Sequence, residues 1–477
     1  MTTTVATRTG ARTAFADEVI EELRTQVRGA VVTDQDSAGA GGRQAFNAMY
    51  PGAPALAAVC ESTADVVAAI NFARSNDLLT AIRGGAHSIA GLSSVDGGML
   101  IDLAPMRGVH VDPDERLAHV GGGAVWADVD HECQAFGLAT PGGVVSDTGV
   151  AGLTLGGGYG WLRRRHGLSC DNVVSAQVVC ADGKVRTASA DSNPDLYWAI
   201  RGGGGNFGIV TNFTFELHEL GPLVAFVGVF YPLEEIREIL PRWRAIASEA
   251  PDEVTTVVVT ATFPADPQMP DVIQGRDVAI VGGVYAGDVD EGLKQMQGLR
   301  ELGTVLFDMT GPTPFTAVQS GFDPLFPRGQ QQAYWKSQYI DELTDDALEL
   351  IATKALDRPA PLTLVSTFQM GGAINRVDPE ATAFAERSAP WMISIDGIWD
   401  DPADNDRVIG WVRQTWNEIS EFGNGGIYLN FTGLSDEMPS AGVDSAFGRN
   451  LQRLAEIKAI YDPDNFFRLN NNIAPAS

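Results

Sequence analysis

The stretch DTGVAGLTLGGGYGW (residues 147–161) is the middle one of three glycine-rich segments in the first half of the chain. RGGAHSIAG (83–91) precedes it and RGGGGNFGIV (201–210) follows. Glycine lacks a Cβ, so its backbone takes φ > 0 readily and can approach a ligand closely, with N–H groups turned toward phosphate oxygens. One such loop reads equally well as a tight turn. Three of them between Arg83 and Val210, with His and Asn embedded, point to one large phosphate-bearing ligand such as a dinucleotide. The GxGxxG fingerprint does not account for them. Gly156 and Gly158 are followed by Trp161 where a third glycine is needed; Gly203, Gly205 and Gly208 satisfy the bare pattern but run into a strand instead of a helix. No GxxxxGKS/T loop occurs either, so a dinucleotide here is held in another way.

Around these loops the composition narrows the function classes. The 477 residues include 33 basic and 61 acidic side chains, a net charge of −28. A field of that sign repels phosphate backbones and anionic lipid, which argues against nucleic acid and membrane as partners. With 44% hydrophobic residues the chain can bury a large core. Cys60, Cys133, Cys170 and Cys180 form no CxxC pair, and no His/Cys spacing suits zinc, so neither a metal site nor a disulfide scaffold is expected. The first fifteen residues lack the apolar centre of a signal peptide, and no apolar run of about 18 residues occurs. A cytoplasmic protein is the expectation; composition sets no oligomeric state.

The element pattern predicts an α+β fold. Residues 1–45 read as a polar lead with one helix, Phe15–Val27. Ser62 and Asp65 resemble a capping box that opens a helix through Ser75. Short strands follow near Leu79–Arg83, Met99–Leu103, Leu117–Gly121, Asn172–Cys180 and Lys184–Ser189, with a helix at Val125–Phe136. Gly208–Leu220 closes this region as a strand. From Pro222 longer strands (Val224–Tyr231, Val254–Phe263, Val278–Ala286, Leu362–Gln369) alternate with amphipathic helices (Leu233–Ala250, Asp345–Leu356, Asp404–Phe422), which predicts a mostly antiparallel sheet covered by helices. A final helix is expected at Ala446–Ile460.

RGGAHS, TGVAGLTLGGGYGWLRRRHGLSCDNV, NPDLYWAIRGGGGNFGIVT and the terminal YDPDNFFRLNNNI together resemble FAD-linked oxidases, in the berberine-bridge-enzyme-like branch of the vanillyl-alcohol oxidase superfamily with its PCMH-type FAD-binding domain. The resemblance spans the chain from Arg83 to the C-terminus. It implies a FAD domain over 46–222 completed by 431–477, a substrate domain over 223–430, and a flavin between them. It also implies a role for each matched residue. His87 is the residue joined to the flavin 8α-methyl, and Arg83, Gly84, Gly85, Ala86 and Ser88 form its pyrophosphate loop. Ser146, Gly149, Gly152, Gly157, Gly158 and Tyr159 lie along the ribityl–pyrophosphate side. Asn206, Gly208 and Val210 approach the adenine or the ring edge, and Asn470 and Asn472 reach back from the tail. Relatives with a second, cysteinyl link carry that cysteine where this chain has Val145, so attachment through His87 only is implied. Cys170 reads as buried and inert. Arg163–Arg165 could neutralise phosphate, but read more simply as a solvated charge run.

For chemistry, the resemblance implies hydride loss from an alcohol, amine or activated C–H, with O2 as acceptor and H2O2 as product. Tyr428 and Asn430 in GIYLNF match the family's Y-x-N strand, with Tyr428 as catalytic base provided its pKa falls from an ordinary value of roughly 10. Gly143 is a small residue fit to admit O2. The remaining histidines (His110, His119, His131, His166, His218) read as structural. The expected substrate is an aromatic, polyketide or alkaloid-like small molecule of secondary metabolism, although Tyr231, Phe263, Tyr285, Trp335, Trp391 and Trp399 read equally as pocket or core. Two alternatives stay open at this point: an oxidative cyclase or oxygenase, and a flavin-binding protein without turnover.

Overall fold

The computed structural model describes residues 2–36, 44–265, 270–433 and 440–477. Two small sheets build the first half. One has the strand order Ala30–Thr33, Leu56–Val59, Met99–Asp102, Thr80–Arg83, its last three strands mutually parallel. The other is antiparallel, in the order Val185–Ser189, Val173–Val179, Ile209–Glu216, Leu117–Gly121, Val109–Asp112. The helix Thr63–Ser75 starts where Ser62 Oγ accepts the Asp65 N–H at 3.3 Å. The reciprocal half of the expected box is redirected, because the Asp65 carboxylate accepts instead from the amides of Arg28, Gly29 and Glu61.

Residues 2–36 of the polar lead are structured. Thr2–Ala6 and Arg12–Ala16 pair as a hairpin, the helix Asp17–Gln26 buries Ile20 and Leu23, and Ala30–Thr33 joins the first sheet. These strands are short and rich in Thr and Ala, so they show no hydrophobic alternation to read.

The second half is one antiparallel sheet. Its strands run in the order Phe307–Asp308, Leu223–Pro232, Asp277–Tyr285, Val254–Thr262, Leu364–Gln369, Trp391–Trp399, Gln332–Ile340, and Gly311–Pro314 pairs alongside Leu223–Pro232. Every residue of Trp391–Trp399 is buried, which requires cover on both faces. Trp391, Ile393, Ile395 and Trp399 pack into the core shared with the helices Ile236–Glu249, Asp345–Leu356 and Asn405–Ile419. Met392 and Ile398 pack into the opposite layer, with Tyr159, Trp161, Trp335, Phe368 and Tyr428. The two-residue period of a strand therefore assigns Ser394 and Asp396 to that second layer too.

The C-terminal helix spans Leu451–Tyr461, not Ala446–Ile460. A separate helix, Ser440–Phe447, and a tight turn at Gly448–Asn450 precede it, with Gly448 at φ +48°. Its Leu454, Ile457 and Tyr461 join the core of the first half.

Candidate active site

A cavity of about 310 Å³ lies between the two halves. Its first wall is made of the glycine loops and the C-terminal tail, and its second is the face of the large sheet opposite the helices Ile236–Glu249, Asp345–Leu356 and Asn405–Ile419. Gly84, Gly85, Ala86, His87 and Ser88 line it together with Gly149, Gly152, Tyr159, Gly208, Val210 and Asn470. The first two loops meet through glycine alone: a Cβ on Gly85 would sit 2.2 Å from the Gly149 Cα. Gly152 has nothing within 4 Å of where its Cβ would be, so its backbone faces open cavity.

His87 lines the cavity and is half-buried. Its ring stacks on Phe46 with centroids 4.0 Å apart, and Nε2 is buried with no hydrogen-bond partner. Burial, aided by the Arg328 charge, lowers its pKa to about 3, so the imidazole is neutral. Asn470 Oδ1 is likewise buried and unpartnered. A neutral imidazole nitrogen without a partner, an unpartnered amide oxygen and a cradle kept open by glycine fit a flavin dinucleotide.

At the sheet end the phenol oxygen of Tyr428 accepts from the Gly158 N–H at 3.2 Å and from Asn430 Nδ2 at 2.8 Å. Asn430 Nδ2 also donates to the Leu153 carbonyl at 3.0 Å, and Asn430 packs where a Cβ on Gly156 would sit. Tyr428 was expected on a strand. It lies in extended chain that leaves the edge strand after Tyr339 N–H bonds the Gly426 carbonyl, and the backbone turns at Leu429–Asn430. Its pKa does not fall. Burial pushes it up, and the two donors only partly oppose that, so Tyr428 is a neutral phenol. Tyr159, 4.4 Å away by ring centroids, donates its O–H to Met392 Sδ at 2.8 Å.

Several expected residues lie outside the cavity wall. Arg83 is buried 3.8 Å from Asp102 across two parallel strands. Ser146 is turned to Asp323, which accepts both its N–H (2.8 Å) and its hydroxyl (2.5 Å). Gly157 is backed by the Phe384 ring, and Gly158 spends its N–H on Tyr428. Asn206 clamps the tail, donating to the Asn471 carbonyl at 3.1 Å and accepting from the Ile473 N–H at 2.9 Å. Asn472 has a buried, unpartnered Oδ1 but does not line the cavity. Arg163 and Arg164 are neither solvated nor free for phosphate. Arg163 donates to the carbonyls of Gln369, Gly160 and Thr256, Arg164 to those of Val254, Met370 and Ala250, and burial lowers Arg163 to about 9. They pin the middle glycine-rich segment to the large sheet.

Strand parity sorts the ambiguous aromatics. Trp335 lines the cavity, whereas Tyr231, Trp391 and Trp399 belong to the helix-side core. Phe263 packs in the second layer away from the wall, and Tyr285 packs against the helix-side core. Besides Trp335, the aromatic rings of Tyr159, Phe322, Phe326, Phe368, Tyr428, Phe431 and Phe467 line the cavity. Asp396 is also new. It is in register between Trp335 and Leu364, both cavity residues, and accepts from Ser394 Oγ. Burial raises its pKa to about 7. The signal was present in the sequence, as Asp396 is the single charge in the apolar run WMISIDGIW (391–399).

All four cysteines are free and buried, and burial pushes their thiols up, Cys170 included. Among the described residues no group of three or more His, Cys, Asp or Glu is arranged to hold a metal, and no helix is long and apolar enough to cross a membrane.

A glycine-lined cradle joined to an aromatic sheet face defines a flavin-dependent oxidoreductase site, and comparison with known proteins agrees. Residues 54–189 match the FAD binding domain family, and residues 428–474 match the berberine and berberine like family. The chain is 31% identical to the FAD-linked oxidoreductase pgmH of Aspergillus terreus over 97% of each protein. It is 29% identical to the (R)-6-hydroxynicotine oxidase of Paenarthrobacter nicotinovorans, over 88% of this chain and 91% of the relative. The crystal structure of 6-hydroxy-D-nicotine oxidase from Arthrobacter nicotinovorans superposes with a TM-score of 0.83 at 26% identity, covering 94% of this chain and 98% of the other. The chain belongs to the berberine-bridge-enzyme-like family of FAD-linked oxidoreductases.

Proposed function

We propose that the chain oxidises a small aromatic alcohol or amine, with dioxygen as final acceptor and hydrogen peroxide as product. The observation that carries this reading is the continuity of one cavity from the His87 loop to a wall of Tyr159, Trp335, Phe368, Tyr428 and Phe431. A flat apolar substrate buries its surface well against such rings. The named activity of the hydroxynicotine oxidase relative, on a small aromatic amine, supports the same class.

His87 is the anchor in this reading, and the only covalent one. Val145 lines the cavity at the position where doubly linked relatives carry cysteine, and none of the four cysteines lines it. Bound FAD supplies the acceptor for the hydride. The chain's own residues supply orientation and charge. Because the Tyr428 oxygen already accepts two N–H bonds, its O–H remains to donate to the substrate's oxygen or nitrogen, and Asn430 fixes its direction. Tyr159 and Trp335 bound the aromatic body. Asp396 changes charge near pH 7 behind this wall and sets its potential. Gly143 also lines the cavity, with the Leu153 side chain packed where a Cβ would sit.

The test is anaerobic titration of the purified yellow protein with a panel of aromatic alcohols and amines. Bleaching of the flavin band by one class, followed on admitting air by one H2O2 per substrate oxidised, supports the proposal. Bleaching by none of the panel, or reoxidation without H2O2, contradicts it.

A further inference from the structure

Arg328 belongs to the substrate half of the chain, yet it reaches the His87 loop. Its Nε donates to Asp147 Oδ2 at 2.6 Å and its Nη2 to the Asp147 carbonyl at 3.0 Å. Its Nη1 donates to the Gln44 carbonyl at 3.0 Å and the Ala86 carbonyl at 3.3 Å. One guanidinium thus ties together three segments that are distant in sequence, and the side chain is only 15% exposed. The segments are those that seat His87. Phe46, two residues after Gln44, stacks on the imidazole, and its own backbone is held at both ends, N–H to Ala86 O at 2.8 Å and carbonyl from Gly329 N–H at 2.8 Å. Asp147 lies two residues before Gly149, whose backbone packs directly on Gly85.

Ala86 marks why a clamp is needed. It has φ +58°, a left-handed conformation that a residue with a Cβ adopts only when its surroundings over-determine it. Its carbonyl receives both the Phe46 N–H and the Arg328 Nη1–H. Relaxation of Ala86 would swing His87, the next residue, off Phe46. Asn47 ties the far end of the loop, donating from Nδ2 to the Ile89 and Ala333 carbonyls at 2.7 Å each, but of these two side chains Arg328 alone bonds Ala86 itself.

We infer that Arg328 is the positioning residue for flavin attachment at His87: its fork holds Ala86 in the left-handed conformation and so fixes the imidazole against Phe46, facing the cavity. This inference rests on the proposed anchoring role of His87. Attachment replaces the imidazole N–H and one methyl C–H of the flavin by an N–C bond. The two hydrogens released, with their electrons, leave on dioxygen as hydrogen peroxide. Arg328 takes no part in that exchange; it supplies alignment. A planar five-donor fork does this where an ammonium cannot, so lysine is not an equivalent replacement.

The experiment compares wild type, R328A and R328K as purified holoproteins. Each is precipitated with acid, and the flavin in pellet and supernatant is measured beside the total flavin bound before precipitation. We expect wild type to retain its flavin in the pellet. Both variants should bind FAD but release most of it, with attachment slowed by roughly ten- to a hundredfold, the usual cost of about an ångström of misplacement. Guanidinium ion added to FAD-loaded R328A should convert released flavin to pellet-bound flavin over time, which a general loosening of the fold would not allow. Acid-stable flavin in R328A at the wild-type rate overturns the inference and leaves His87 as anchor. Full attachment in R328K also overturns it, since charge alone would then suffice. Release of all flavin from wild type overturns the His87 reading itself, a result distinct from the other two. If R328A fails to hold FAD at all, R328K and its melting temperature decide between misplacement and misfolding: a folded, FAD-loaded and unattached R328K supports the clamp.

Discussion

At the residue scale, the site turns on two groups whose pKa burial raises. Tyr428 is a neutral donor, so its loss removes one oriented hydrogen bond to the substrate. Tyr428→Phe should lower kcat by about 10²-fold, typical of deleting a preorganised donor, while the flavin stays bound; stopped-flow flavin reduction measures this directly. Asp396 is raised to about 7 by burial and is therefore protonated below that pH and charged above it. Hydride loss leaves positive charge on the substrate carbon, which an ionised carboxylate stabilises. For an alcohol substrate kcat/KM should therefore rise as pH increases through about 7, and that limb should vanish in Asp396→Asn. A limb that persists in the variant would assign it to another group. Tyr428 was legible in the sequence through its motif, but the direction of its pKa was not, because burial is a property of the packed cavity. Asp396 could have been singled out as the single charge in a buried strand.

At the scale of elements, long periodic segments were legible, as were short strands such as Met99–Asp102, Leu117–Gly121 and Val185–Ser189, whereas the two N-terminal strands were not. Asp345–Leu356 and the strands Val254–Thr262 and Asp277–Tyr285 lie where hydrophobic periodicity put them, within a residue or so. Thr2–Ala6 and Arg12–Ala16 were missed because neither carries a pattern that survives five residues. The charge run Arg163–Arg165 misled for a related reason. Sequence shows three cations, but only the fold shows six backbone carbonyls waiting for the first two. Arg163→Met should strip donors from three buried carbonyls, at about 1–3 kcal/mol for each one left unsatisfied, and a lower urea midpoint would register it. The glycine loops give a sharper contrast. Gly85→Ala drives a Cβ into the Gly149 backbone, so it should cost both melting temperature and bound flavin. Gly152→Ala meets nothing in the protein, so melting should hold while flavin content per chain falls. Equal effects of the two would mean that Gly152 does not face the cofactor.

At the scale of the whole molecule, an apolar layer joins the two halves, with Tyr159, Trp161 and Leu162 packed among Trp335, Phe368 and Met392 of the large sheet, and buried polar groups lock the parts around it. Lys458 is fully buried and donates to Asp462 at 2.6 Å and to the carbonyls of Asn206 and Phe467. It fixes the C-terminal tail against the third glycine loop. Lys458→Met leaves the Asp462 charge buried without its partner and should destabilise the protein by about 3–5 kcal/mol in chemical denaturation. Asp130, bonded by Gln319 Nε2 at 3.0 Å, joins the helix Trp126–Gln134 to the helix Phe315–Gln319, and burial raises its pKa to about 7. A carboxyl raised in the fold is protonated there while the unfolded chain has already lost its proton, so it costs stability as pH climbs from about 4 to 7. Asp130→Asn should accordingly gain more melting temperature at pH 8 than at pH 5.

We propose that one FAD is held in this cavity by His87 and by no cysteine. Peptide mass mapping of the acid-precipitated, proteolysed protein tests it most directly. We expect a yellow pellet, a flavin adduct on the peptide containing Arg83–Ser88, and unmodified peptides for Cys60, Cys133, Cys170 and Cys180. Flavin recovered in the supernatant, or an adduct on any cysteine peptide, would contradict it.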